Sequence, residues 1–213
     1  MENKNLTVEK CEAEATLFDI VTSPEFQIEI DSVIQTFDFL DRSIFLGEEI
    51  EQAHANIVFE LIKLWNQIDK SEKIPIEERV PIKIYINTPG GDLDATFVIM
   101  GAIKTSETPV HTITAGTGYS AGFFIGICGH KRFGYPYSSY LFHEGALEVG
   151  GDCHKFMQRA DFHKIQLKQL REIVLNNTKI NSNQYDTFKN DDWFMTAKEA
   201  IENGVIDEII EKI

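Results

Sequence analysis

Five residues, Gly118-Tyr119-Ser120-Ala121-Gly122, separate two apolar runs and leave the chain few ways to fold between them. Upstream, Val110-His111-Thr112-Ile113-Thr114-Ala115 is rich in β-branched residues and reads as a buried strand. Downstream, Ala121 to Cys128 reads as a buried helix. Small residues between the two permit a tight strand-to-helix corner. A serine at such a corner holds its hydroxyl out of the chain, and the helix start behind it presents N–H groups that have no intrahelical acceptor. That placement suits a nucleophile, with the first-turn amides available to a developing anion. The pattern is short, and small residues that merely ease a turn would satisfy it equally.

The rest of the chain repeats the same alternation from Ser43 onward. Ile44-Phe45-Leu46-Gly47 is a short buried strand with a glycine stop. Glu51 to Lys70 is helical, with Ile57, Leu61, Leu64, Trp65 and Ile68 expected on one face. Ile82, Ile84 and Ile86 alternate with Lys83, Tyr85 and Asn87, which predicts a strand. Thr88-Pro89-Gly90-Gly91 ends it, and a helix follows from Asp92 to Lys104. Two short strands are expected at Arg132-Phe133 and at Ser139 to His143, then a long helix from Asp152 to Asn177. Thr196-Ala197-Lys198-Glu199 is a capping box, Gly204 stops its helix, and Val205 to Ile210 reads as a last strand. Strands alternating with helices indicate an α/β fold with mostly parallel pairing. Residues 1–42 read as a separate N-terminal segment, polar and acidic over Glu2 to Ala15 and strand-like over Phe26 to Asp31, ahead of a domain spanning 43–213.

Bulk properties narrow the partners. A formal net charge of −14 argues against nucleic acid or an anionic membrane, because binding phosphates needs a surplus of Lys and Arg. No apolar run reaches the roughly 18 residues of a membrane span, and no apolar stretch follows Met1 to Asn5, so neither an anchor nor a leader is expected. Cys11, Cys128 and Cys153 are odd in number and widely spaced, which points to reduced thiols in a cytoplasmic protein, not to a disulfide frame or a zinc site.

A serine hydroxyl needs an imidazole within hydrogen-bond reach, and the imidazole needs a carboxylate to fix its tautomer. His54, His154 and His163 lie in predicted helices among polar residues and read as surface side chains. His111 is too far back along the serine's own strand, and His130 sits in a glycine-flanked turn. His143 ends the apolar run Tyr140-Leu141-Phe142, where a polar residue has no packing motive, and is the best base candidate. Among the acids Asp191 and Asp192 stand out, since Trp193-Phe194-Met195 follow directly and would partly bury one of them; a turn-capping role is the alternative. Gly90 and Gly91 let the backbone approach a ligand closely, and the N–H groups of Gly91 and Ala121 could together receive an oxyanion, although a plain β-turn accounts for them as well.

The order of these motifs resembles the proteolytic subunit of the Clp protease. The elements that carry the resemblance are Ser43 to Gly47, Ile84 to Gly91, Gly118 to Gly122, Leu141-Phe142-His143, Asp192 to Ala200 and Asn203 to Ile210. The resemblance covers about residues 43 to 210 and implies the α/β fold shared with crotonases, repeated β-β-α units wound in a spiral, with a protruding handle helix and strand. It implies Ser120 as nucleophile, His143 as general base, Asp192 as third triad member, and the Gly91 and Ala121 amides as oxyanion donors. It also implies substrate contacts at Gly90, Tyr119, Glu144 and Gly145, with Gly145 to Gly151 pairing with an extended polypeptide. Family members are endopeptidases of stacked heptameric rings that need no metal or bound cofactor and are usually fed by an ATP-driven unfoldase.

The chain departs from the family pattern in several places. Glu144-Gly145 stands where Gln-Pro is usual, and Tyr119, where a small residue is usual, is expected to narrow the pocket for the residue before the cleaved bond. Lys83 and Thr105 fall where aromatic side chains are common, which weakens the expectation of unfoldase docking. A ring-forming scaffold without turnover and a crotonase-like acyl-CoA enzyme are the competing readings. An α/β-hydrolase fits less well, because that fold orders its triad Ser, acid, His.

Overall fold

The computed structural model describes residues 38–145 and 152–212. The strand expected at Phe26 to Asp31, the polar stretch before it and the substrate-pairing segment past Gly145 lie outside the described residues. Contacts divide the chain into residues 1–41 and Arg42–Ile213, and the second unit carries every element named below.

A mostly parallel seven-stranded sheet forms the centre of this unit. β1 (Ser43–Leu46) pairs in parallel with β2 (Ile82–Thr88), and β2 with β3 (Val110–Tyr119). The pairing of β3 then divides. Its first half takes β4 (Lys131–Gly134), and its second half takes β5 (Ser139–Phe142), both in parallel. β6 (Trp193–Thr196) runs antiparallel to β5, and β7 (Glu208–Ile209) closes the edge beside β4. Six α-helices connect them: α1 (Gln52–Ser71), α2 (Leu93–Thr105), α3 (Ala121–Gly126), α4 (Cys153–Asn177), α5 (Ser182–Phe188) and α6 (Ala197–Glu202). This is the α/β architecture that the alternation predicts. Ile82, Ile84 and Ile86 are fully buried while Lys83 and Tyr85 are half-buried and Asn87 is exposed, so the two-residue period of β2 reads as written.

Four elements differ from the sequence-based expectation. α1 turns about one position: Ala55, Val58, Ile62, Trp65 and Asp69 face inward, while Ile57 and Leu64 are exposed. The last strand shrinks to two residues because the N–H groups of Val205 and Ile206 both go to the Ala200 carbonyl and end α6 instead of joining a ladder. α5 and β6 were not read as elements. α4 runs as expected, with residues 154–165 largely exposed and Leu170 and Val174 buried at its far end. Among the described residues no helix is long and apolar enough to cross a membrane. Cys128 is a free, buried thiol that burial pushes up to about 11, so it stays protonated near neutral pH.

Asp69 explains the turn of α1. Its carboxylate is fully buried, accepts Arg42 Nη1 and Nη2 at 2.8 and 2.5 Å and accepts the Thr108 hydroxyl at 2.7 Å. The hydrogen bonds from Arg42 hold the carboxyl below its ordinary value of 3.8. A carboxyl lowered by folding contributes stability that is complete above that ordinary value and is lost as pH falls through the lowered one. Asp69→Asn is therefore expected to destabilise the protein by about 2 kcal/mol near pH 7, because Arg42 is left without its counter-charge. In urea melts the gap between variant and wild type should be full above pH 3.8 and narrow as the pH falls below it.

Candidate active site

Ser120 occupies the single residue between β3 and α3. Its φ of 52° and ψ of −112° lie in a region that non-glycine residues rarely adopt, at a cost of about 1–3 kcal/mol. The surroundings hold it there. Its N–H donates to the Leu141 carbonyl at 3.0 Å, which extends the β3–β5 ladder by one step, and its carbonyl accepts the Phe124 N–H at 3.2 Å, which starts α3. Gly122 is required for close approach: a Cβ there would lie 2.6 Å from Thr88 Cγ2. The second glycine element abuts the first. A Cβ on Gly90 would lie 2.8 Å from Ser120 Cβ, so the Gly90-Gly91 turn backs directly onto the serine.

That turn is anchored on one residue. Ile50 N–H donates to the Gly90 carbonyl at 2.7 Å, and the Asp92 N–H donates to the Ile50 carbonyl at 2.8 Å. Gly91 lies between these two bonds with φ +149°, and its own N–H takes no part in the pair. Ala121 is the first residue of α3, so its N–H has no intrahelical acceptor. Gly91 and Ala121 both line the cavity at Ser120.

The imidazole and carboxylate are brought together by strand register. β5 and β6 are antiparallel with Phe142 opposite Trp193, so the residue after Phe142 meets the residue before Trp193. Those residues are His143 and Asp192, and His143 Nδ1 lies 3.2 Å from Asp192 Oδ1. The carboxylate fixes the tautomer with Nδ1–H donating and leaves Nε2 to act as acceptor. Trp193 holds the start of β6 by stacking on Phe188 at 4.3 Å and meeting Phe142 edge-on at 6.4 Å. The aromatic run was expected to bury the acid, yet the Asp192 side chain is 59% exposed. The pair is made by backbone pairing, and the rings pack below it. Asp191, the other acid considered, donates its N–H to the Phe188 carbonyl in the preceding turn.

Ser120, His143, Gly91 and Ala121 line one cavity of ≈ 160 Å³, together with Glu144 and Gly145. Among the described residues no hydrogen bond joins the Ser120 hydroxyl to His143. Larger cavities of ≈ 340 and ≈ 380 Å³ lie between α1 and α2 and between α2 and α4, away from the serine. Gly90 and Tyr119 are not part of the lining. Tyr119 follows strand alternation to the other side of Ser120, where its hydroxyl meets Ser139 Oγ at 2.9 Å and its ring meets Phe194 edge-on at 5.7 Å. Glu144 takes a different neighbour. Burial first, and the Glu144 carboxylate second, raise the phenol of Tyr185, which stays protonated.

Of the histidines read as surface residues, His54 caps α1, with Nδ1 accepting the Glu51 N–H at 3.2 Å. His163 lines the cavity instead, and its Nδ1 is buried with no hydrogen-bond partner among the described residues. The signal for it was present in the sequence: His163 and Leu170 are seven residues apart, hence on one helix face, and Leu170 is buried. Among the described residues no group of three or more His, Cys, Asp and Glu side chains is placed to hold a metal ion.

The family profile described as Clp protease matches residues 29–213. The chain belongs to the Clp protease family. Within that family it is 31% identical over 134 residues to the ATP-dependent Clp protease proteolytic subunit 2 of Treponema pallidum, covering 62% of this chain and 67% of the relative. The proteins of the same name from Treponema denticola and Corynebacterium diphtheriae are 29% and 28% identical, covering 84% and 80% of this chain and 86% and 83% of theirs. As a Clp protease family member the chain has a match that begins upstream of β1, earlier than the resemblance read from its motifs.

Proposed function

We propose that this protein is a serine endopeptidase in which Ser120, His143 and Asp192 act in sequence on a peptide bond. One observation supports the reading most: His143, paired with Asp192 at 3.2 Å, lines a cavity that Ser120, Gly91 and Ala121 also line. His143 Nε2 takes the proton from Ser120 Oγ as the oxygen attacks the substrate carbonyl carbon. The carbonyl oxygen gathers negative charge, which the N–H groups of Gly91 and Ala121 receive. As the C–N bond breaks, the imidazolium returns the proton to the leaving nitrogen. Water then repeats the cycle against the acyl-serine.

The substrate is an extended polypeptide, and the working unit is an assembly of copies with the cavities facing an enclosed space. Support comes from apolar side chains that the single chain leaves exposed, namely Phe156, Met157, Phe162 and Ile165 on α4 and Ile57 on α1. The relatives are named ATP-dependent; for this chain an unfoldase partner is left as an additional proposal, and peptides do not require one. The test is labelling by a fluorophosphonate with the modified residue located by mass spectrometry, alongside native mass of the intact assembly. Labelling at Ser120 in a particle of many chains is expected. No labelling in an intact particle would favour the second reading, a ring-forming scaffold without turnover. The exposed Asp192 and the missing Ser120–His143 hydrogen bond are the observations on that side.

A further inference from the structure

His143 is tied by backbone on both sides. Phe142 before it lies in the β5–β6 ladder, and the Glu144 N–H after it donates to the Lys189 carbonyl at 3.1 Å. Lys189 follows α5 directly, and its own N–H donates to the Tyr185 carbonyl at 2.9 Å. Tyr185 is fully buried, with its ring against Phe142 at 5.1 Å and the Arg171 guanidinium over it at 5.4 Å. Its hydroxyl is closed off from solvent and completes no hydrogen bond among the described residues. A buried hydroxyl in that state is unfavourable, and only a protein group already against it can satisfy it. Two carboxylates act on it. Asp186 is exposed and already engaged by Lys189 at 3.3 Å and Arg171 at 3.4 Å. Glu144 is half-buried, and after burial itself it is the group that raises the phenol most.

We propose that Glu144 is a positioning residue: in the engaged site its carboxylate accepts the Tyr185 hydroxyl, and this clamp turns His143 so that Nε2 meets Ser120 Oγ. The inference rests on the peptidase reading above. Two hydrogen bonds are unmade in the structure, one from Ser120 to His143 and one from Tyr185 to Glu144, and their acceptors sit on consecutive residues. One small rotation of the chain between the Phe142 rung and the Lys189 anchor can complete both. A carboxylate acceptor makes a stronger bond than a neutral one, and where water is excluded nothing competes for the donor. Tyr185 is not among the residues lining the cavity, so its hydroxyl reaches the reaction only through Glu144.

The experiment measures how fast a plain fluorophosphonate modifies Ser120 in the full-length protein, together with the urea midpoint. Tyr185→Phe removes only the hydroxyl and is expected to slow modification about tenfold, the worth of one hydrogen bond to a charged group. Glu144→Ala should slow it by the same factor. Glu144→Gln keeps a carbonyl acceptor and should stay within about threefold of wild type. Tyr185→Phe combined with Glu144→Ala should be no slower than either alone, because both remove the same bond. The hydroxyl is unpaired before engagement, so Tyr185→Phe should leave the urea midpoint at or above the wild-type value, which separates positioning from folding. An unchanged rate in Tyr185→Phe, single losses that multiply in the double variant, equal losses in Glu144→Gln and Glu144→Ala, or slowing accompanied by a lower midpoint would each overturn the assignment. Failure of the wild type to be modified at Ser120 at all removes the peptidase reading and this assignment together, whereas modification indifferent to both substitutions removes the assignment alone.

Discussion

Ser120→Ala is expected to lower kcat for a fluorogenic peptide by about 10⁵-fold while leaving the thermal midpoint and the assembly unchanged. The reasoning is that the hydroxyl is the only group lost. The backbone at position 120 keeps its N–H bond to Leu141 and its carbonyl bond to Phe124, and these hold the corner whatever side chain it carries. The Gly91 and Ala121 amides, proposed to receive the oxyanion, and the β5–β6 pair are also untouched, so some acceleration over water should persist. Asp192→Asn is expected to cost less, about 10²-fold, because a carboxylate that is 59% exposed gives a weaker field at the imidazole than a buried one. If the alanine variant hydrolysed the peptide at more than a tenth of the wild-type rate, the nucleophile would have to be sought elsewhere. Equal losses in the two variants would mean that Asp192 does more than its exposure suggests.

The second large effect is structural. Gly91→Ala places a Cβ at 2.3 Å from the Ile50 carbonyl oxygen and 2.5 Å from the Ile50 nitrogen, both backbone atoms that cannot rotate aside. It also puts a side chain at φ +149°, where L-residues are strained. Strain of about 1–3 kcal/mol adds to an overpacking cost of similar size, so a loss of about 4 kcal/mol is expected. Relief requires the Ile50 bridge to open, which moves the Gly91 amide and the backbone at Gly90 that Ser120 rests against. Urea denaturation checks the stability, and labelling of Ser120 in the fraction that remains folded checks the site. Near-wild-type stability would show that the Gly90-Gly91 turn has another low-energy arrangement.

What could be read from residues alone depended on how many neighbours each reading required. β2 needs only its own alternation, and Ile82, Ile84 and Ile86 went to the core as that alternation says. The Ser120 corner needs two flanking runs, and β3 and α3 lie on either side of it. α1 was harder because Ile57, Leu61, Leu64, Trp65 and Ile68 make a plausible stripe, but Ala55 and Val58 fit closer to the sheet and Arg42 draws Asp69 inward. Small residues and a buried carboxylate carry no weight in a hydrophobic stripe. α5 was legible in principle, since Asn181 and Gln184 form a capping box, but Ser182 to Phe188 contains too few apolar residues to show a period. β6 is four residues long and exists by virtue of its partner β5. The polar neighbours of His163 on α4 point to a surface position, whereas it lines the cavity at Ser120. Which side of that helix meets the body is decided by Leu170 and Val174, and the cavity they help close is a property of the fold.

The β5–β6 ladder separates two things that many hydrolases couple. Everything between Phe142 and Trp193, α4 and α5 included, is an excursion that leaves and returns at adjacent rungs. The imidazole and its carboxylate follow directly on those rungs, and α5 packs beneath them through Tyr185 on Phe142 and Phe188 on Trp193, so the exposed first half of α4 is the part that could be lengthened, shortened or exchanged without altering their spacing. His163, by contrast, rides on the excursion itself. Change in the exposed part of that detour is therefore uncoupled from the register that brings His143 to Asp192.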